Sequence, residues 1–163
     1  MRCGRIAPRA GAKVLLVDTS AWVDYLRGAD TGAARGLRVL LSTRTAELAT
    51  TEPIVMEILA GAKNDRSLRQ LEALTNGLVL LSVDAHRDYH DAAAIFRAAR
   101  RSGKTIRKLV NCLIAAVAIR NEATLVHKDS DFDAITAVAP LQLQPNSPAW
   151  QSPKPGAASR VAD

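Results

Sequence analysis

The segment Lys-Val-Leu-Leu-Val-Asp-Thr-Ser-Ala-Trp-Val at residues 13–23 places four apolar residues in an unbroken run, stops them with an acid, and then changes period. An apolar run without alternation suits a strand buried on both faces, as in a parallel sheet, and Asp18 then marks the point where its carboxyl end opens into a loop. Beyond it, Ser20 is suited to cap a helix whose apolar face would hold Trp22, Val23 and Leu26 before Gly28 stops it. A buried strand that passes directly into a helix is the repeating unit of an α/β protein.

The same alternation continues outward. Helices are expected over 33–41, from Pro53 to Gly61 with Thr50 and Thr51 as cap candidates, and over 66–75, 84–101 and 105–120, with a short one starting at Phe132. Strands are expected over 47–49, 78–81 and 124–126, with an edge strand at 141–144. The 84–101 helix would bury Tyr89, Ala92, Ala93, Phe96 and Ala99, and Gly103 would end it. In 105–120, Leu109, Val110, Leu113, Ile114, Val117 and Ile119 wrap nearly the whole circumference, the mark of a helix inside the core. The pattern specifies an α/β sandwich with a mostly parallel sheet.

Composition narrows the partners. A chain of 163 residues fits one domain, and 48% hydrophobic with 23% charged residues suits a soluble globular protein. Aromatic residues make up only 4%, too few for a base-stacking platform, so contact with nucleic acid would rest on charge. The formal net charge is +6, but setting aside Arg2, Arg5, Arg9 and Lys13 leaves 18 basic residues against 16 acidic ones. The informative basic run is internal: Arg97, Arg100, Arg101, Lys104, Arg107 and Lys108, with no Asp or Glu among them. It is either a phosphate-binding surface or a solvated helix end where cations suit the macrodipole. Two cysteines, Cys3 and Cys112, make no disulfide framework, and Cys112 lies in a run too apolar to be reactive. The longest apolar stretch, 112–119, is too short to span a bilayer, and no apolar signal segment precedes Val14. A cytoplasmic protein without a membrane partner is expected.

Five polar positions carry the chemistry: Asp18, Glu57, Asn111, Asp129 and Asp131. Asp18 and Asp129 each follow an expected strand, and ligands of open parallel sheets collect at the carboxyl ends of strands. Carboxylates from separate elements can hold a hard cation such as Mg²⁺ or Mn²⁺ against a phosphodiester. Taken singly, each has a plainer role: Asp18 as a helix cap, Glu57 as a surface residue, Asp131 as the cap of the helix at Phe132. Asn111 is placed about a turn and a half into the most apolar helix, where an amide needs either backbone partners or a site.

Four segments carry a resemblance. Val-Asp-Thr-Ser-Ala-Trp-Val at 17–23, Met-Glu-Ile-Leu-Ala-Gly-Ala at 56–62, Ile-Arg-Lys-Leu-Val-Asn-Cys-Leu-Ile-Ala-Ala at 106–116 and Leu-Val-His-Lys-Asp-Ser-Asp-Phe at 125–132 resemble, in order, the motifs of the PIN-domain ribonucleases. They resemble more closely the VapC toxins of bacterial type II toxin–antitoxin pairs. The resemblance runs from Val14 to Leu143. It implies a three-layer α/β/α sandwich and endonucleolytic, Mg²⁺-dependent cleavage of RNA, often tRNA or ribosomal RNA, with Mn²⁺ as the alternative ion. It also implies a VapB-type antitoxin that occludes the acidic site, and a toxin homodimer or toxin–antitoxin hetero-oligomer. Residues 14–144 form the PIN-like domain on this basis, with 1–13 as a flexible extension and 145–163, rich in proline, as a flexible tail.

Asp18, Glu57 and Asp129 match the family's acidic metal ligands, Asp131 is an additional acid beside them, and Thr19 and Ser20 take its hydroxyl positions. At Asn111 the family usually has aspartate. Asparagine keeps the shape and one acceptor oxygen but removes a negative charge and adds an NH₂ donor, so cation affinity and water activation should fall. The basic run, lying just before Asn111, would hold RNA phosphates near the ion.

Three other readings compete. His86 and His90 stand four apart, but His-Arg-Asp-Tyr-His lacks the glutamate of a zinc hydrolase motif. A phosphotransferase with Asp18 as nucleophile would want a second aspartate where Ser20 stands. A module that binds RNA or antitoxin without cutting is the serious rival, because of Asn111.

Overall fold

The computed structural model describes residues 11–144, made of four strands and seven helices. The expected extension and tail lie almost wholly outside those residues, as does Cys3. In chain order the elements are β1 (Val14–Val17), α1 (Thr19–Leu26), α2 (Gly32–Thr43), β2 (Glu47–Thr50), α3 (Glu52–Ala60) and α4 (Asp65–Asn76). They continue with β3 (Val79–Leu80), α5 (Asp88–Arg101), α6 (Leu109–Arg120), β4 (Thr124–Val126) and α7 (Asp131–Thr136).

The four strands form one sheet in the order β3-β2-β1-β4, every pair parallel. Leu15 sits opposite Leu48 on one side and Thr124 on the other, so β1 is central. Leu15, Leu16 and Val17 are fully buried, which is why the run is apolar without alternation. The chain leaves β1 toward β2 and β3, then returns across the sheet to place β4 on β1's other side. Right-handed crossovers therefore put α1–α4 on one face and α5 and α6 on the other, the three layers expected. The packing agrees, with α1 against α2 and α3, α3 against α4, and α5 against α6. Between β1 and β4 the strand order reverses. Such a switch point opens a crevice at the carboxyl edge of a sheet.

Several boundaries differ from the sequence expectation, each for a physical reason. The cap of α1 is Asp18, whose side chain accepts from the Ser20 amide; Ser20 itself lies inside the helix. Of the apolar face expected there, Trp22 is buried and Leu26 is exposed. Helix α5 starts at Asp88 because Asp84 forms a turn instead, its carboxylate accepting from the amides of His86 and Arg87. Its buried face is Asp88, Ala92, Ile95 and Ala99, whereas Tyr89 and Ala93 face outward. The face is rotated by the pairing of Asp88 with Arg120, at 2.8 Å to each carboxylate oxygen. Gly103, at φ +68°, turns the chain after α5. The 141–144 segment makes only an isolated bridge, Leu143 with Leu125.

Helix α6 begins four residues later than expected, at Leu109. The amides of Arg107 and Lys108 donate to the Asp131 carboxylate instead of extending the helix backwards. Asn111 is consequently in the first turn, at the end of α6 that meets the carboxyl edge of the sheet.

Candidate active site

Asp18 closes β1, and its amide donates to Val126 O of β4 at 2.9 Å, which fixes the two strand ends side by side. Its Oδ2 accepts from the Ser20 amide at 2.9 Å and from Ser20 Oγ at 2.5 Å. Ser20 Oγ in turn accepts from the Lys128 amide at 3.0 Å, tying the loop after β1 to the loop after β4. Asp18 is 4% exposed. Burial raises its pKa above the ordinary carboxylate value; the hydrogen bonds of Ser20 oppose that, and the nearby Glu57 carboxylate adds to it.

Glu57 reaches the same place from α3, half-buried, with Thr19 Oγ1 donating to its Oε2 at 2.7 Å. Among the described residues, no cation pairs with either Asp18 or Glu57.

The other half of the site is built differently. Asn111, 3% exposed, points its Nδ2 at Asp129 Oδ2 and Asp131 Oδ2, 3.3 Å from each. Arg107 spans both acids, with Nη2 on Asp129 Oδ1 at 2.8 Å and Nε on Asp131 Oδ1 at 2.9 Å. Lys108 Nζ stands 3.4 Å from Asp129 Oδ2, and the Asp131 amide donates to Asp129 Oδ1 at 3.1 Å. Burial alone would raise the Asp129 pKa, but the Asp131 amide, Asn111 and Lys108 outweigh it and hold the carboxyl below its ordinary value. Arg107 is pushed above its usual value by its hydrogen bond to Asp131 and the charge of both acids, so it stays a cation.

Asp18, Thr19, Ser20, Glu57, Asn111 and Asp129 line one cavity of about 840 Å³, together with Arg107 and Lys108. Asp131 does not line it: at 2% exposure its carboxylate is enclosed by two backbone amides, Arg107 and Asn111. It does not cap the helix at Phe132, since it lies inside α7; its carboxylate instead accepts from the amides that precede α6. The basic run divides as well. Arg97, Arg100 and Arg101 border a separate depression on α5, away from the cavity's lining, and Lys104 is exposed.

Sequence reasoning missed Asp24, Lys128 and Ser130, which also line the cavity. Lys128 Nζ pairs with Asp24 Oδ2 at 2.7 Å. Lys128 was within reach of a sequence signal, because it lies inside the segment that carries Asp129. His86 and His90 are both exposed, and among the described residues no three of His, Cys, Asp and Glu gather closely enough to hold an ion by themselves. Two carboxylates at one cavity, Asp18 and Glu57, suit Mg²⁺-like binding, in which one or two carboxylates suffice and water and substrate oxygens complete the shell. Asp18 supplies the decisive observation: a buried carboxylate facing a second carboxylate without a cation is a place whose chemistry fits a hard divalent ion. Cys112 is buried, its thiol pushed up to about 11 by desolvation and the charge of Asp131, and is inert.

The PIN domain family model matches residues 15–138 of this chain. Over 129 residues the chain is 51% identical to VapC ribonuclease Mb1587 of Mycobacterium bovis, covering 79% of this chain and 96% of that protein. Ribonuclease VapC11 of Mycobacterium tuberculosis matches with the same identity and coverage. Among solved structures, VapBC2 of Rickettsia felis bound to a DNA fragment from its promoter aligns with a TM-score of 0.63 at 18% identity, covering 80% of this chain and 97% of that one. At that identity the likeness speaks for the fold, while the mycobacterial relatives speak for the family. The chain belongs to the PIN-domain family and, within it, to the VapC ribonucleases.

Proposed function

We propose that this protein is the toxin of a type II toxin–antitoxin pair, a Mg²⁺-dependent endoribonuclease whose turnover is lowered by Asn111. What supports the reading is the convergence of Asp18, Glu57, Asn111 and Asp129 with Arg107, Lys108 and Lys128 on one cavity at the carboxyl ends of β1 and β4. Acids to hold a cation and bases to hold phosphates line the same space.

A bound divalent ion would supply Lewis acidity and lower the pKa of a water held beside the scissile phosphate. Asp18 and Glu57 would hold that charge and Asn111 would offer its carbonyl oxygen, while Ser20 and Thr19 fix the orientation of the two carboxylates. Lys108, Lys128 and Arg107 hold the RNA backbone at the cavity mouth, and Arg97, Arg100, Arg101 and Lys104 extend the contact over the end of α5. Asp131 keeps Arg107, Lys108 and Asn111 in place, joining the metal set only through them. A VapB-type antitoxin, self-association of the toxin and a cytoplasmic setting belong to the same proposal; the solved VapBC assembly supports the first of these. No helix among the described residues is long and apolar enough to cross a membrane.

Asn111 leaves one carboxylate fewer at the ion, so activity is reduced relative to an aspartate there. The test is RNA cleavage by the purified protein with Mg²⁺, with Mn²⁺ and with a chelator, alongside Asn111→Asp. Metal-dependent cleavage that rises about 10-fold or more in the aspartate form, on the scale of changes to a metal's surroundings, is expected. Equal activity of the two forms would remove the role given to Asn111. Cleavage that survives chelation would overturn the metal reading.

A further inference from the structure

Asp129 already has a cation, and it belongs to the chain itself. Arg107 lies at the cavity with its side chain 62% exposed, yet its guanidinium is committed at both ends, Nε on the enclosed Asp131 and Nη2 on Asp129. Its own backbone amide donates to Asp131 Oδ2 at 2.9 Å, which fixes the base of the side chain. The two contacts are unequal. Asp131 is 2% exposed and surrounded by donors, so that contact is anchored. Asp129 is at the cavity wall, where water and an ion can reach it.

From this we infer that Arg107 is a positioning residue that acts as an internal counter-ion, occupying Asp129 until a divalent cation displaces it. The inference rests on the metal-dependent nuclease reading and assigns a step within it. With Asp131 as pivot, the Nη end leaves Asp129 and turns toward the mouth of the cavity, where an RNA phosphate offers an equivalent charge-assisted partner. The Asp129 carboxylate then becomes available to the ion held by Asp18 and Glu57. Lys108, on the other oxygen of Asp129, is farther away at 3.4 Å and gives way more easily. Asn111 belongs to the same arrangement, because its NH₂ group serves the pair of acids as a donor where a carboxylate would repel them.

A counter-ion and a cation compete for the same oxygens, so removing the counter-ion should tighten cation binding. A purely structural role predicts the reverse, since a disordered Asp129 would bind the ion less well. The experiment is calorimetric titration of the full chain with Mn²⁺, comparing wild type with Arg107→Gln and Arg107→Lys. Arg107→Gln is expected to bind Mn²⁺ about 5-fold more tightly, the scale of releasing one partly exposed ion pair. Arg107→Lys, which keeps the charge but loses the fork spanning both acids, should fall between the two. It also serves as the readout if the glutamine variant does not fold. Unchanged or weaker Mn²⁺ binding in the folded variants would overturn the inference. Tighter binding without RNA cleavage by any form would uphold it and count against the nuclease reading alone.

Discussion

The two halves of the acidic site solve opposite problems. On the Asp18–Glu57 side, a buried carboxylate faces another carboxylate, with hydrogen bonds from the hydroxyl and amide of Ser20 and the hydroxyl of Thr19 among the described residues, and the pKa of Asp18 is raised. On the Asp129–Asp131 side, two acids share Arg107, Asn111 and backbone amides, and the pKa of Asp129 is lowered. Acidic residues at one cavity are therefore not equivalent: the first pair stores an electrostatic cost that a cation relieves, and the second is balanced without one.

The largest effect should come from Asp18→Asn. Removing a ligand is expected to cost about 10³-fold in RNA cleavage, beyond the 10–100-fold of changes around a metal. The same variant should melt at least as high as wild type in the absence of divalent ions. The sign follows from linkage: Asp18 has a folded-state pKa raised above 3.8, so wild type loses stability as pH rises from that value through the raised pKa. Asp18→Asn abolishes that slope in a pH series of melts. A variant less stable than wild type at neutral pH, without metal, would break the contrast between the halves.

Asp131→Ala probes the balanced half. It leaves Arg107 Nε, two backbone amides and part of Asn111 without their acceptor, and should cost about 3 kcal/mol in urea unfolding. A loss of cleavage without a loss of stability would instead make Asp131 a direct participant.

Asp88 sharpens the contrast from outside the site. It too is buried, but burial is outweighed by Arg120, and its pKa is lowered. Asp88→Asn should cost about 2 kcal/mol at pH 7, discounted because Arg120 is partly exposed. Its contribution is present above 3.8 and disappears as pH falls through the depressed folded-state value, so the wild-type and variant curves should converge in acid. The pH slope is opposite to that of Asp18.

The smallest effect belongs to the outlying arginines. Replacing Arg97, Arg100 and Arg101 by Gln should reduce the salt slope of RNA binding by about 2, at roughly 0.7 for each phosphate contact to a single strand, and leave stability nearly unchanged. An unaltered slope would return them to the role of a solvated helix end.

How much of this was legible in sequence depended on the range of the interactions. Val14–Val17 could be read because burial on both faces excludes polar residues locally, and the ends of β1 and β4 followed from similarly short runs. Asn111 stood out because an amide in so apolar a helix needs an explanation. The buried face of α5 and the start of α6 could not be read, because each is set by a partner far along the chain: Arg120 for Asp88, and Asp131 for the amides of Arg107 and Lys108. For the same reason the enclosure of Asp131 by Arg107, Lys108 and Asn111, and the pairing of Asp24 with Lys128 across most of the domain, leave no local signal.

The contrast between the halves can be seen directly by anomalous diffraction from a crystal soaked in Mn²⁺. The ion is expected within coordinating distance of Asp18 and Glu57, with Arg107 withdrawn from Asp129. An ion held by Asp129 and Asp131 while Asp18 and Glu57 stay unligated would contradict it.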